Sequence, residues 1–187
     1  MSKATLSLSD EQYVELIKAI REGFPGTRPN EQVSTALLVE ANLGIRISDV
    51  VRLHLNDIVR DGDRFRLDIV EKKTSKARRF SVPAEMVAYL QDYCIDHHIP
   101  KDRRIFAVTE RQVQRILKRA TDYLEYERIG THSFRKYFAT RVYNSSNYNI
   151  ALVQTLLQHS SPVTTRHYIG IGTQEIESAL VDNLRLF

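Results

Sequence analysis

The chain has 187 residues, 42% of them hydrophobic and 27% charged, with one cysteine, Cys94. That length suffices for one domain with a sizeable core, and no apolar run approaches the roughly 18 residues of a membrane span. A lone cysteine excludes an internal disulfide framework, and "MSKATLSLSDEQ" lacks the apolar stretch of a signal peptide, so a cytoplasmic protein is expected.

Ser9 predicts the N-cap of a first helix, with Tyr13, Leu16, Ile17 and Ile20 at helical spacing and an end near Gly23. After "FPGTRPN", Asn30 caps a second, buried helix that stops at Gly44, and "ISDVVRL" forms a short third. From Asp57 apolar and polar residues alternate around Phe65, Leu67 and Ile69, with Gly62 and "KTSK" at turn positions. Pro83 ends that region, and helices resume with "AEMVAYLQDYCIDHH" and "ERQVQRILKRATDYL", where Val113, Ile116, Leu117, Ala120 and Leu124 form one apolar stripe. "HSFRKYFATRVYN" and "IALVQTLLQ" follow as helices, and "TQEIESALVDNLRLF" reads as an amphipathic tail helix over 173–187. The expected class is α+β, mainly α-helical with a small three-stranded antiparallel sheet, in one domain spanning 1–187.

The net charge of +4 is modest, but the cations cluster as Lys72, Lys73, Lys76, Arg78 and Arg79, and again as Arg111, Arg115, Lys118 and Arg119. Such clusters suit a polyanion, because each cation placed on a phosphate releases condensed counterions. Breaking a phosphodiester with a side-chain nucleophile needs an attacking hydroxyl, cations on the non-bridging oxygens and an acid for the leaving oxygen. His132 and Arg135 are three apart, so one helical face can aim both at one phosphate. Arg46 opens the short third helix just past Gly44, beside amides that favour an anion. His159 precedes Tyr168 in "LLQHSSPVTTRHYIG". Singly, each of these has an ordinary structural reading; their order is what carries the argument. His97 and His98 with Cys94 lack a third convergent ligand, so no metal is expected.

The ordered set Arg46 and Asp49 in "GIRISD", Lys73 in "KKTSK", His132 and Arg135 in "HSFR", His159 and Tyr168 resembles the tyrosine recombinase, or phage integrase, family. The resemblance runs from about Leu6 to the end of the chain. It implies that family's catalytic-domain fold and a site-specific recombinase that cuts and rejoins double-stranded DNA through a 3'-phosphotyrosyl link, without cofactor or metal. By resemblance Tyr168 attacks, Arg46 and Arg135 hold the transition state, Lys73 protonates the leaving 5'-oxygen, and Lys72 and Lys76 are its rivals. His132 assists proton transfer, His159 bonds a non-bridging oxygen, and Asp49 orients its neighbours. DNA contacts are expected at Lys72, Lys76, Arg78, Arg79, Arg111, Arg115, Lys118 and Arg119. A homo-tetramer on DNA, monomeric when free, is implied, with the 173–187 tail docking in trans. Ser75 replaces the glycine common in the family's hairpin, and the N-terminal helical domain most integrases add has no counterpart, so DNA binding should be weak and salt-sensitive. Two other functions are consistent with parts of this set: a type IB topoisomerase and a catalytically silent DNA-binding regulator.

Overall fold

Ser9 caps the first helix as its chemistry dictates: its hydroxyl accepts from the Gln12 amide while the Gln12 side chain accepts from the Ser9 amide. The computed structural model describes residues 5–169 and Val181, so the expected tail helix, Val181 apart, lies outside the described residues. From the capped start α1 runs over Asp10–Glu22, and Asn30 caps α2, Glu31–Leu43, by accepting from Val33 N at 2.9 Å. A short α3, Ile47–Val50, precedes strands β1 (Ile58–Asp61), β2 (Arg64–Val70) and β3 (Ala77–Val82). Helices α4 (Ala84–Asp96), α5 (Glu110–Tyr123), α6 (Thr131–Ser145), α7 (Ile150–Leu157) and α8 (Pro162–Ile169) follow.

Helix α2 is the centre of the core. Val33, Ala36, Leu37, Val39, Ala41 and Leu43 are buried, and α2 packs against α1, α3 and α6. A helix enclosed on several sides carries apolar residues around its circumference, which is why "VSTALLVEANL" has no one-sided stripe. α5 is the opposite case: Val113, Leu117 and Ala120 are buried while Arg111, Arg115, Lys118 and Arg119 are exposed.

The sheet has the order β1-β2-β3, antiparallel throughout, with Leu67 opposite both Ile58 and Phe80. Side chains alternate across a strand, so Phe65, Leu67 and Ile69 share the inward face with their partners Val82, Phe80 and Arg78. At the β2–β3 turn Ser75 itself takes the left-handed conformation (φ 54°) that a glycine would adopt without strain.

Helix α8 was not anticipated. Pro162 fills its first position, where a missing N–H leaves no bond unmade, and Ser161 receives Val163 N on its hydroxyl and Thr165 N on its carbonyl. α8 rests on a small second cluster formed by Ala139, Tyr143, Val153 and Leu157, with Phe138, Tyr168 and Ile169 packed against it. The two clusters meet where α2 ends. Gly44 is left-handed (φ 58°), and a Cβ there would sit 2.2 Å from a ring carbon of Phe138. Gly44→Ala is therefore expected to destabilise by at least about 1–2 kcal/mol, the left-handed penalty alone, read as a lower midpoint in urea unfolding with an unchanged slope.

Candidate active site

The end of α2 sets the position of Arg46. Glu40, fully buried, accepts from Ile47 N at 3.0 Å through one carboxylate oxygen, while the other has no partner. This pins the Gly44–Ile47 turn from below. Burial pushes the Glu40 carboxyl well above the usual carboxylate range, against the opposing pull of the Ile47 amide and of Arg135. A raised acid favours folding most while it is protonated, so this contribution is full below the carboxylate range and is lost as pH rises through the raised value. Glu40→Gln keeps the acceptor for Ile47 N and has no charge to bury. Its melting temperature should be higher than wild type at alkaline pH, and the difference should shrink as pH falls.

Arg46 reaches across to Glu71, which follows β2, with Nη1–Oε2 at 2.5 Å. The same carboxylate accepts from Arg78 Nη1 at 3.0 Å and from the Thr74 hydroxyl at 2.7 Å. Burial alone would raise Glu71; the bonds from Thr74, Arg46 and Arg78 outweigh it and hold the carboxyl at about 2. Asp49, buried on α3, accepts from the Lys72 amide at 2.8 Å and so tethers the start of the lysine turn.

Arg78 is a correction. Expected among the DNA-contacting cations, it is 1% exposed, bonded to Glu71 and to the carbonyls of Gly44 and Leu156 at 3.2 and 2.6 Å, with Phe80 beneath its guanidinium. Strand parity is the physical reason: Arg78 shares the inward face with Phe80 and Val82. Arg79 is exposed and pairs with Asp68 across the strands at 3.0 Å. Lys72, Lys73 and Lys76 are exposed on the turn. On α5, Lys118 pairs with Asp122, and Arg119 donates to the Gly26 carbonyl.

Arg135, on α6, is 1% exposed and donates through Nη2 to Leu157 O at 2.8 Å, a helix-end carbonyl that needs a donor. Its Nη1 and the buried hydroxyl of Tyr168 each lack a well-formed hydrogen bond, although Arg135 stands close enough to act on the phenol. Burial pushes the Tyr168 phenol up to about 12, against the pull of Arg135 and Arg46. The His159 ring meets the Tyr168 ring edge-on at 5.1 Å between centroids, and its Nδ1 lies 3.1 Å from the Thr165 hydroxyl. Burial, then the charges of Arg135, Arg46 and Arg78, drives the His159 imidazole down to about 4, so it is neutral at pH 7. Desolvation followed by the charges of Arg135, Lys73 and Arg46 lowers His132 as well. Arg135 and Arg46 thus act on His132, His159 and Tyr168 alike, and Lys73 acts on His132. Of the turn lysines, Lys73 is one whose charge bears on His132.

Sequence reasoning missed Glu40, Glu71, Thr165 and Lys136. Lys136 donates to Thr5 O at 2.7 Å and stands 5.6 Å over the Tyr168 ring. Glu71 and Arg78 could have been found together: both continue the inward parity of Leu67 and Ile69, and opposite charges at inward strand positions indicate a buried pair.

Comparison with known proteins matches the phage integrase family over residues 7–175. "Probable integrase/recombinase YoeC" of Bacillus subtilis is 34% identical over 143 residues, 74% of this chain and 77% of that protein. Tyrosine recombinase XerH of Campylobacter jejuni is 25% identical over 184 residues, 92% of this chain and 50% of its own length. The catalytic domain of bacteriophage HP1 integrase superposes with a TM-score of 0.66 at 20% identity, covering 96% of this chain and 95% of that one. XerH in its post-cleavage complex with difH substrate gives 0.67 at 20% identity, covering 95% and 53%. The chain spans about half the length of the XerH protein it matches. With the family matched over most of the chain, the chain belongs to the phage integrase family, the site-specific tyrosine recombinases, and has the fold of their catalytic domain.

Proposed function

We propose that this domain cuts and rejoins strands of duplex DNA through a covalent link to Tyr168. The observation that carries this reading is that the buried Tyr168 hydroxyl and Arg135 Nη1 make no well-formed hydrogen bond in the free protein, while Arg135 and Arg46 act on the phenol and His159 meets its ring edge-on. A nucleophile and a phosphate clamp that lack well-formed hydrogen bonds in the free protein are what a bound phosphodiester would complete.

In the forward step the Tyr168 oxygen forms a bond to phosphorus as the bond from phosphorus to the 5'-oxygen breaks. The phenolic proton passes to neutral His132, and Lys73 gives a proton to the departing 5'-oxygen. Arg46 and Arg135 carry the charge gathering on the non-bridging oxygens. In the tautomer whose Nδ1 accepts from the Thr165 hydroxyl, the single proton of neutral His159 lies on Nε2, free to bond a non-bridging oxygen. Attack by a 5'-hydroxyl, on the same or another strand, reverses each transfer. The phosphodiester energy is kept in the phosphotyrosine, so the cycle needs no ATP, metal or other cofactor.

Lys72, Lys76, Arg79, Arg111, Arg115, Lys118 and Arg119 are the exposed cations offered to the DNA backbone. The structural relatives XerH, the Tn1549 integrase and lambda integrase are complexes with DNA, which supports duplex DNA as the partner. A homo-tetramer on DNA, monomeric when free, is the assembly the family resemblance implies. Among the described residues no helix is long and apolar enough to cross a membrane, and a cytoplasmic location accords with that. The test is incubation with supercoiled plasmid at low salt, quenched in detergent, scoring relaxation and protein covalently attached to 3' ends. Adducts from the wild-type chain support the reading, and adducts that persist without the Tyr168 hydroxyl overturn it.

A further inference from the structure

The carboxylate of Glu71 stands where three otherwise separate parts of the site meet. It is 1% exposed, and its two oxygens receive Arg46, Arg78 and Thr74. Its backbone closes the lysine turn as well: Glu71 N donates to Lys76 O at 3.0 Å, and Ser75 N to Glu71 O at 2.9 Å. Arg78 then carries the connection to the Leu156 carbonyl at the end of α7, and Gln158 repeats it by donating to Ala77 O at 3.1 Å. His159 is the next residue along the chain.

Resting on the recombinase reading above, we propose that Glu71 is a positioning residue: one buried carboxylate that fixes Arg46, the Lys73 turn and the approach to His159 in a single mutual arrangement. The charge count explains why the residue is acidic. Arg46, Arg78 and Arg135 lie close enough for each to disfavour the charge of another, and Glu71 is the carboxylate bonded to two of them. It engages Arg46 through Nη1 alone, so among the described residues the rest of that guanidinium fork is left for a ligand. Thr74 is held by the same oxygen that holds Arg46, so a shift of the arginine and a shift of the lysine turn are coupled. A catalytic group is only as well placed as the residues that lock it.

The test compares wild type with Glu71→Gln, which keeps the shape and removes the charge, and with Glu71→Asp, which keeps the charge and shortens the reach. Phenylglyoxal labelling mapped by mass spectrometry reads the arginines without DNA. Glu71→Gln should raise labelling of Arg46 several-fold and leave Arg135, which makes no hydrogen bond to Glu71, protected. An equal rise at Arg135 would mean general loosening, and no rise at Arg46 would mean that Glu71 does not hold it; either overturns the proposal.

Cleavage is then followed on a duplex centred on the strongest adduct position mapped with wild-type protein on plasmid. One form has an ordinary scissile phosphate and the other a methylphosphonate, which lacks one anionic oxygen and demands less of the arginines. Glu71→Gln should lose up to about 100-fold on the phosphodiester, the scale of an ångström's misplacement, and much less on the methylphosphonate. Glu71→Asp should fall between Glu71→Gln and wild type. Equal losses on both substrates would overturn the proposal. If wild type forms no adduct at all, the recombinase reading fails, while the labelling result still decides whether Glu71 holds Arg46.

Discussion

Tyr168→Phe is expected to form no covalent adduct with DNA while binding the same DNA with nearly unchanged affinity. The substitution removes one oxygen and leaves the ring, so the edge-on contact with His159 and the Lys136 ammonium over the ring face are retained. The free protein should not lose stability either. The hydroxyl is buried without a well-formed hydrogen bond, and an unsatisfied buried group costs about 1–3 kcal/mol, which the pull of Arg135 offsets only in part, so its removal should leave the melting temperature equal to or above that of wild type. Loss of activity with a gain in stability is the mark of a group kept for chemistry rather than for folding. Detergent-quenched plasmid reactions, gel-shift binding and thermal melts read the three quantities. Adduct formation at wild-type level by Tyr168→Phe would sink the nucleophile assignment, and a lower melting temperature would mean that the hydroxyl has a structural partner.

Local chemistry made much of this fold legible. Ser9, Asn30 and Gly44 each announced a helix boundary, because a cap is decided by the residue itself and its near neighbours. The sheet was readable because the alternation of Phe65, Leu67 and Ile69 fixes which face is inward. Error entered where charge was read without parity. Arg78 was grouped with Arg79 as one basic cluster, yet adjacent strand residues point to opposite faces, and one is buried against Glu71 while the other meets solvent. Helix α8 was missed for a related reason. Pro162 reads as a break until it is placed at the first helical position, and "PVTTRHYI" carries β-branched residues whose helicity depends on packing against α6 and α7. Glu40 was beyond reach: a glutamate inside "LLVEANLG" reads as the polar face of a helix, and only the three-dimensional enclosure of α2 makes it a buried support for Arg46. The candidate site residues and Asp49 stood out by their order along the chain, whereas Glu40 and Glu71, which brace Arg46 and its turn, did not.

Arg135→Ala is the second large effect, with an expected loss in single-turnover cleavage of about 10²–10³-fold, corresponding to roughly 3–4 kcal/mol for one preorganised donor to a developing oxyanion. The residue does two things that alanine would end together. Through Nη2 it satisfies Leu157 O at the end of α7, and through Nη1, without a well-formed hydrogen bond in the free protein, it is available to a phosphate oxygen. The first contact is structural, and leaving a buried carbonyl without its donor should lower stability by about 1–3 kcal/mol, so cleavage must be compared at a temperature where both proteins are folded. Arg135→Lys separates the roles. It restores a positive charge but not a planar fork, and one ammonium cannot serve both the Leu157 carbonyl and a phosphate with the same geometry. If the clamp depends on the fork, Arg135→Lys should recover stability more fully than cleavage. If net charge alone matters, the lysine variant should cleave close to wild type. Near-normal cleavage by a folded Arg135→Ala protein would remove Arg135 from the chemistry altogether, leaving Arg46 and His159 as the remaining ligands for the non-bridging oxygens.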